Sequence, residues 1–257
     1  DILVENFEPR VMPSLGLGYE SLEKINPRLV MTSISNFGQT GPYRDYKATD
    51  IVEYALGGFL YVSGEPDREP LKHGGSQAQY QAGLNAFVAT LAAAYMAKET
   101  DTGQQVDISI MEVINCLDQY GLMTWEYQKQ EYKRRGNIGP EHPWGLFLCQ
   151  DGLVGICAVG KWWRRFVEWT GLAELANEKF DNSQARLNNR DELDAILLPW
   201  LLEHTKEELY HSGQARGVPI SFPRTVKDLL DSPQYKARGF WVDIDHPVTG
   251  ELTYPGA

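Results

Sequence analysis

Leu84-Asn85-Ala86-Phe87-Val88-Ala89-Thr90-Leu91-Ala92-Ala93-Ala94-Tyr95, followed a short way on by Gln105-Val106-Asp107-Ile108-Ser109-Ile110, decides the fold class. In the first segment Leu84, Phe87, Val88, Leu91, Ala92 and Tyr95 recur at helical spacing. The intervening Ala89, Ala93 and Ala94 are small, so the pattern predicts a helix from about 80 to 98 that can be buried on more than one side. In the second, Val106 and Ile108 alternate with Asp107 and Ser109, as in a strand. Working outward, Leu29 to Ile34 reads as another strand and Ile2-Leu3-Val4 as a short buried one. Ser14 to Lys24 reads as a short helix closed by Asn26-Pro27. Thr49 or Asp50 can cap a helix through Val52, Ala55 and Leu56 that stops at Gly57-Gly58. Strand and helix in alternation predict an α/β domain with a parallel sheet.

Residues 111–135 read as one long helix leaving through Lys133-Arg134-Arg135 and Gly136, basic residues before a glycine being a common helix exit. Between two differently patterned regions, such a helix suits a connector. From 145 to 215 the pattern changes. Strands at 145–149 and 153–159 flank Gln150-Asp151-Gly152, where Asp-Gly signals a hairpin. Helices follow near 162–170, 191–203 and 205–213, giving a small α+β unit. Residues 218–257 form a return segment with a helix near 225–231 and an antiparallel pair around His246-Pro247-Val248-Thr249-Gly250.

The 257 residues are 42% apolar and 23% charged, which excludes a disordered tail, a collagen or a coiled coil. No uncharged apolar run approaches the roughly 20 residues of a membrane helix. With 24 basic against 35 acidic residues, net −11, binding to nucleic acid or an anionic membrane is disfavoured, while a local basic pocket stays open. Cys116, Cys149 and Cys157 make no CxxC pattern and read as reduced thiols of a cytosolic protein. Of the five histidines, His204 and His211 can share a helix face but lack companions for a metal site. No nucleophile elbow, P-loop or dinucleotide fingerprint is present. Trp162, Trp163 and Trp169 read as core. The loop Asn36-Phe37-Gly38-Gln39-Thr40-Gly41-Pro42-Tyr43 follows a strand, where an α/β sheet places its ligands, although a plain turn explains it equally well. The chain begins in an apolar run without an initiator Met or signal peptide and closes just past a hairpin, so the expectation is a fragment lacking both ends.

Longer strings carry a resemblance. Val4-Glu5-Asn6-Phe7-Glu8-Pro9, Asn26-Pro27-Arg28-Leu29-Val30, the Ser33–Tyr43 loop and Thr102-Gly103-Gln104-Gln105-Val106-Asp107-Ile108-Ser109 resemble, in order, motifs of the family III CoA-transferases. His142-Pro143-Trp144-Gly145, Gly217-Val218-Pro219, Asp231-Ser232-Pro233-Gln234 and Arg238-Gly239-Phe240 continue the match, which covers essentially the whole chain. That family includes formyl-CoA transferase, carnitine CoA-transferase and α-methylacyl-CoA racemase. The resemblance implies an α/β fold with a Rossmann-like large domain and a small α+β domain, in a dimer whose chains interlock. It divides the chain into a partial CoA-binding large domain (1–110), a linker helix (111–136), the small domain (137–216) and a return toward the large domain (217–257). CoA would be substrate rather than cofactor, with no metal. The implied partners are an acyl-CoA, a carboxylic acid and a second copy or homologous subunit, in the cytoplasm, with no nucleic acid or membrane. By match to the family, Asn6, Phe7, Lys47 and Asp50 belong to the CoA site, and Gly136, Asn137 and Gly139 to a glycine-rich active-site loop.

One position departs from the family. Its transferases carry a nucleophilic Asp upstream of the Thr102–Ser109 string, able to form an acyl anhydride and then a CoA thioester. Anchored on Gly83, the corresponding stretch is Gln77-Ala78-Gln79-Tyr80-Gln81-Ala82-Gly83, with Gln79 where Asp is expected and no acidic residue between Glu69 and Glu99. An amide is a poor nucleophile whose adduct would not turn over. The racemases' His-Asp pair reads Thr49-Asp50 here, and Thr cannot move a proton near neutrality. Alone, Asp50 also reads as a helix cap. Three readings follow: a subunit without the nucleophile that works with a competent partner, as in benzylsuccinate CoA-transferase; an active transferase or thioester isomerase using another group; or a non-enzymatic CoA-binding protein. Asp50, Glu99 and Asp101 are the carboxylates nearby in sequence.

Overall fold

In the computed structural model, which describes residues 1–118 and 120–256, the first strands run parallel. Strands β1 (Ile2–Glu5), β2 (Val30–Ser35) and β3 (Gln104–Ser109) lie in that order, with Ile2 beside Val30 and Val30 beside Gln104. The β1–β2 crossover carries two single turns, α1 (Val11–Ser14) and α2 (Tyr19–Leu22), in place of the expected helix from Ser14 to Lys24. Gly16, with φ 74°, lies between them and breaks the run. The β2–β3 crossover holds α3 (Asp50–Leu56), α4 (Phe59–Val62) and the long α5 (Gln77–Thr100).

Helix α5, expected to be buried on more than one side, is buried along one. The buried residues are Ala78, Ala82, Ala86, Thr90, Ala93 and Ala97, spaced three or four apart along one stripe. Leu84, Phe87, Val88, Leu91 and Tyr95, whose helical spacing drew attention to the segment, are each more than half exposed in this chain. Small side chains let the helix backbone approach the sheet closely, and Ala93 and Ala97 pack on Val30 and Val106. The approach is fixed by a buried bond of 2.6 Å between the hydroxyls of Thr32 and Thr90. Since the Thr90 hydroxyl donates to the Ala86 carbonyl (2.6 Å), Thr32 is the donor to Thr90. Strand β1, expected to be buried, pairs with β2 alone among the described residues, and its Ile2 and Val4 are about half exposed.

The single helix expected over 111–135 is instead α6 (Ile110–Cys116) and α7 (Gly121–Gln128). Asp118 accepts the N–H groups of Tyr120 and Gly121 (3.3 and 2.9 Å) and so starts a new helix. Lys129, at φ 53°, ends it. The chain then returns without helix, Arg134 donating to the carbonyls of Tyr61 and Glu65 and the Gly136 N–H to Gly64.

The chain divides into two compact units, Asp1–Gly136 and Asn137–Ala257, so residues 217–257 group with the second. There an antiparallel sheet forms from β4 (Trp144–Cys149), β5 (Gly152–Cys157) and β6 (Ile220–Ser221). Helices α8 (Trp163–Thr170), α9 (Ser183–Asn188), α10 (Arg190–Leu202) and α11 (Lys206–Ala215) enclose a core that includes Val154, Phe166, Leu193, Leu197 and Leu209. Trp163 is in that core and Trp169 packs against it. Buried Arg186 donates to the carbonyls of His142 and Phe180 (2.9 Å each) and stacks on the Trp163 ring. Short helices α12 (Val226–Asp231) and α13 (Pro233–Ala237) precede the hairpin β7 (Trp241–His246) and β8 (Gly250–Pro255). No helix is long and apolar enough to cross a membrane among the described residues.

Gly103 precedes β3 where no side chain fits: an added Cβ would lie 2.0 Å from the Leu29 carbonyl oxygen. Gly103→Ala is expected to lower stability by about 2–4 kcal/mol in urea unfolding, whereas Gly74→Ala should stay within about 0.5 kcal/mol. At Gly74 an added Cβ meets nothing within 4 Å. Equal midpoints for the two variants would contradict this packing.

Candidate functional site

A parallel sheet leaves its strand C-termini facing helix N-termini, and a pocket flanking that edge in the first unit has a volume of about 440 Å³. Its walls come from Asn6 and Phe7 after β1, Ser35 and Asn36 at the end of β2, the segment Arg44–Lys47, and Gln79, Ala82 and Gly83 in the first turns of α5. Four residues singled out from the sequence, Asn6, Phe7, Lys47 and Gln79, therefore share one cavity. The Asn36–Tyr43 loop beside it is more than a turn. The Gln39 N–H donates to the Asp107 carboxylate (3.0 and 3.1 Å), tying the loop to β3. Gly38 adopts φ 84° there with its Cα side against Asp107, a conformation glycine permits. Phe37, Tyr43 and Tyr46 pack together beyond it, Tyr43 and Tyr46 stacked at 5.0 Å. This cluster carries Arg44 and Lys47 to the pocket.

The walls include charge of both signs. Lys47 pairs with Glu8, whose carboxyl is held below its ordinary range by that hydrogen bond and charge. Asp45 pairs with Arg10 (3.3 Å) and Arg44 (3.5 Å). Two lining cations, Arg44 and Lys47, thus balance two lining carboxylates, Glu8 and Asp45, in a chain that is acidic as a whole, and Arg10 adds a positive charge beside them. All these groups are exposed, so each pair is worth little by itself.

Asp50 does not line the pocket. It opens α3, yet it caps α5: one carboxylate oxygen accepts the Ala78 N–H (3.3 Å) and the other pairs with Lys72. Lys72 in turn donates to the carbonyls of His73 (2.7 Å) and Gly75 (3.0 Å), securing the bend that leads into α5. An acidic cap also suits the positive end of a helix.

One turn further along α3, and absent from the sequence reading, is Glu53. Its residue is 1% exposed, and its carboxylate accepts a 2.9 Å hydrogen bond from Nε2 of Gln79. Burial, and then the charge of Asp50, push its pKa from 4.5 up to about 7, with the Gln79 bond acting the other way. Asp50, Glu99 and Asp101 are the carboxylates named as nearby in sequence; Glu53 is the one that touches Gln79. The available signal was an acid three residues after Asp50, on the side of α3 that buries Tyr54. Glu99 lies near the far end of α5, and Asp101 follows that helix as its C-cap.

Gly136 ends the first unit, while Asn137 and Gly139 belong to the second. Asn137 mimics a strand against Leu146, donating to its carbonyl (2.6 Å) and accepting its N–H (2.7 Å). The Gly139 N–H donates to the Trp144 carbonyl (2.9 Å), and an added Cβ would meet the Trp144 side chain at 2.7 Å. The glycine-rich segment is thus tied to β4.

Comparison with known proteins adds the family. Residues 1–257 match the sequence model of CoA-transferase family III. The chain is 33% identical over 257 residues to a succinyl-CoA–D-citramalate CoA-transferase of Chloroflexus aurantiacus, covering 98% of this chain and 64% of that protein. It is 30% identical over 270 residues to the succinyl-CoA:(R)-benzylsuccinate CoA-transferase subunit BbsE of Thauera aromatica, covering 100% and 65%. The crystal structure of a CAIB/BAIF family protein from Brucella suis superposes with a TM-score of 0.81 at 31% identity, covering 98% of this chain and 70% of that one. The chain thus spans slightly less than two thirds of the length of these two curated relatives.

The raised Glu53 pKa has a stability consequence of fixed sign. A carboxyl favoured in its protonated form stabilises the fold below about pH 4.5, and that contribution is lost as pH rises through about 7. Replacing Glu53 by Gln removes the titration. The stability of Glu53→Gln relative to wild type should therefore rise by roughly 2–3 kcal/mol between pH 5 and pH 8 in urea unfolding. A difference that does not change with pH would show that Glu53 is not a desolvated acid.

Proposed function

Because the chain belongs to CoA-transferase family III, we propose that it serves a CoA transfer between an acyl-CoA and a carboxylic acid without itself carrying the nucleophilic carboxylate. The observation that carries this reading is that Gln79, which the motif resemblance sets at the family's Asp, lines the pocket with its Nε2 engaged by Glu53. An amide so placed can bind and orient an acyl group but cannot form the anhydride that transfer requires. A competent homologous chain would supply that step, which fits the subunit named among the relatives. In this reading CoA lies along Asn6 and Phe7, and its phosphates draw Lys47 away from Glu8. The assembly is cytoplasmic, a heteromer or an interlocked homodimer of the family type. Succinyl-CoA, the donor named for both curated relatives, is the first donor to assay.

A second reading, an active transferase using another carboxylate, is favoured by one observation, the contact of Glu53 with Gln79. Against it, Glu53 is enclosed and Gln79 stands between it and the pocket.

The test is a transfer assay with hydroxylamine trapping on the full-length protein, alone and with a homologous subunit that retains the Asp. The protein alone should transfer no CoA, and the pair should be active. Gln79→Asp should gain activity by itself if the remaining site is intact. Transfer by the unmodified protein alone would overturn the proposal.

A further inference from the structure

Glu53 is a buried acid with one described hydrogen-bond partner, and that partner is the amide that faces the pocket. An ionised carboxylate can only accept hydrogen bonds, so it holds Gln79 by Nε2 and leaves Oε1 as the end free for the pocket. A protonated carboxyl has an O–H to place. Among the described residues the acceptor at hand is the Gln79 amide, which satisfies it by turning Oε1 toward Glu53. The NH2 group then becomes the end free for the pocket. The two states offer a bound ligand opposite things: an acceptor, which repels a carboxylate or an acyl oxygen, or a donor, which binds one.

We propose that Glu53 is a specificity-determining positioning residue whose proton selects which end of the Gln79 amide meets a ligand's carboxylate. The surroundings support a two-state group. Asp50 lies one turn before Glu53 on α3, its carboxylate paired with Lys72 and the Ala78 N–H. The His73 ring packs on Tyr54 and Phe59 (5.7 and 5.1 Å), and burial raises the Tyr54 hydroxyl pKa. The first turn of α5 carries no charged residue, α4 carries none, and Glu112 of α6 is exposed. Among the described residues no cation therefore pairs with Glu53, and burial together with the Asp50 charge brings its titration to near neutral pH. The inference rests on the reading of this pocket as a CoA-thioester site, in which the acyl end reaches Gln79.

The experiment compares two CoA thioethers, S-carboxymethyl-CoA and S-ethyl-CoA, by calorimetric titration between pH 6 and 8. Both carry the same phosphates, so the ratio of their affinities isolates the carboxylate. For wild type, that ratio should fall about tenfold as pH rises, the scale of one hydrogen bond to a charged group. For Glu53→Gln the ratio should be flat with pH, while S-ethyl-CoA affinity is kept. A ratio equally flat in both proteins overturns the proposal. If neither thioether binds, the CoA-site reading fails instead. The side-chain amide signals of Gln79 in nitrogen-15 NMR, assigned through their loss in Gln79→Leu, then decide the pair alone. They should shift with a midpoint near neutral pH in wild type and not in Glu53→Gln, and an unshifted signal in wild type overturns it.

Discussion

The stripe of alanines along α5, with Thr90 bonded to Thr32 at its centre, holds that helix against the parallel sheet. The positions of the site residues depend on that contact. Ala82 and Gly83 continue the stripe into the pocket wall, and Gln79 is set one residue beyond Ala78, whose N–H is capped by Asp50. A helix faced with leucines would stand farther from the sheet and would widen the cavity. Packing thus fixes where the amide lies before any of its own hydrogen bonds are counted.

On this frame two carboxylates of one short helix meet different fates. Asp50 is matched by Lys72 and by a helix N-terminus, and so is a structural anion. Glu53, three residues on, is buried with an amide as its one described partner, and so is poised to exchange a proton. The difference is one of partners rather than residue type, and it moves a buried acid next to the pocket without adding a nucleophile to it.

Much of this was legible in the sequence. The order of strands and helices followed from alternation and helical spacing, and the hairpin from Gln150-Asp151-Gly152, and the elements other than the helices expected over 14–24 and 111–135 are present within a few residues. Motif order was enough to identify the family and to single out Gln79. Burial of α5 on more than one side was expected from its large and small apolar positions together, whereas close packing on a sheet selects the small ones alone. The break of the 111–135 helix turned on Asp118 capping a new start, a local competition that periodicity does not register. Asp50 was read as a cap of its own helix and caps another, and Glu53 went unread. Both errors concern contacts between segments more than twenty residues apart, which arise only when α3 and the start of α5 are folded together.

The central claim is that this chain offers CoA chemistry a binding amide and no nucleophile. It is tested most directly by incubating the full-length protein with succinyl-CoA and mapping acyl and CoA adducts by peptide mass spectrometry. The account requires the peptides carrying Glu53 and Gln79 to stay unmodified. A succinyl or CoA adduct on Glu53 would contradict it and would make Glu53 the nucleophile.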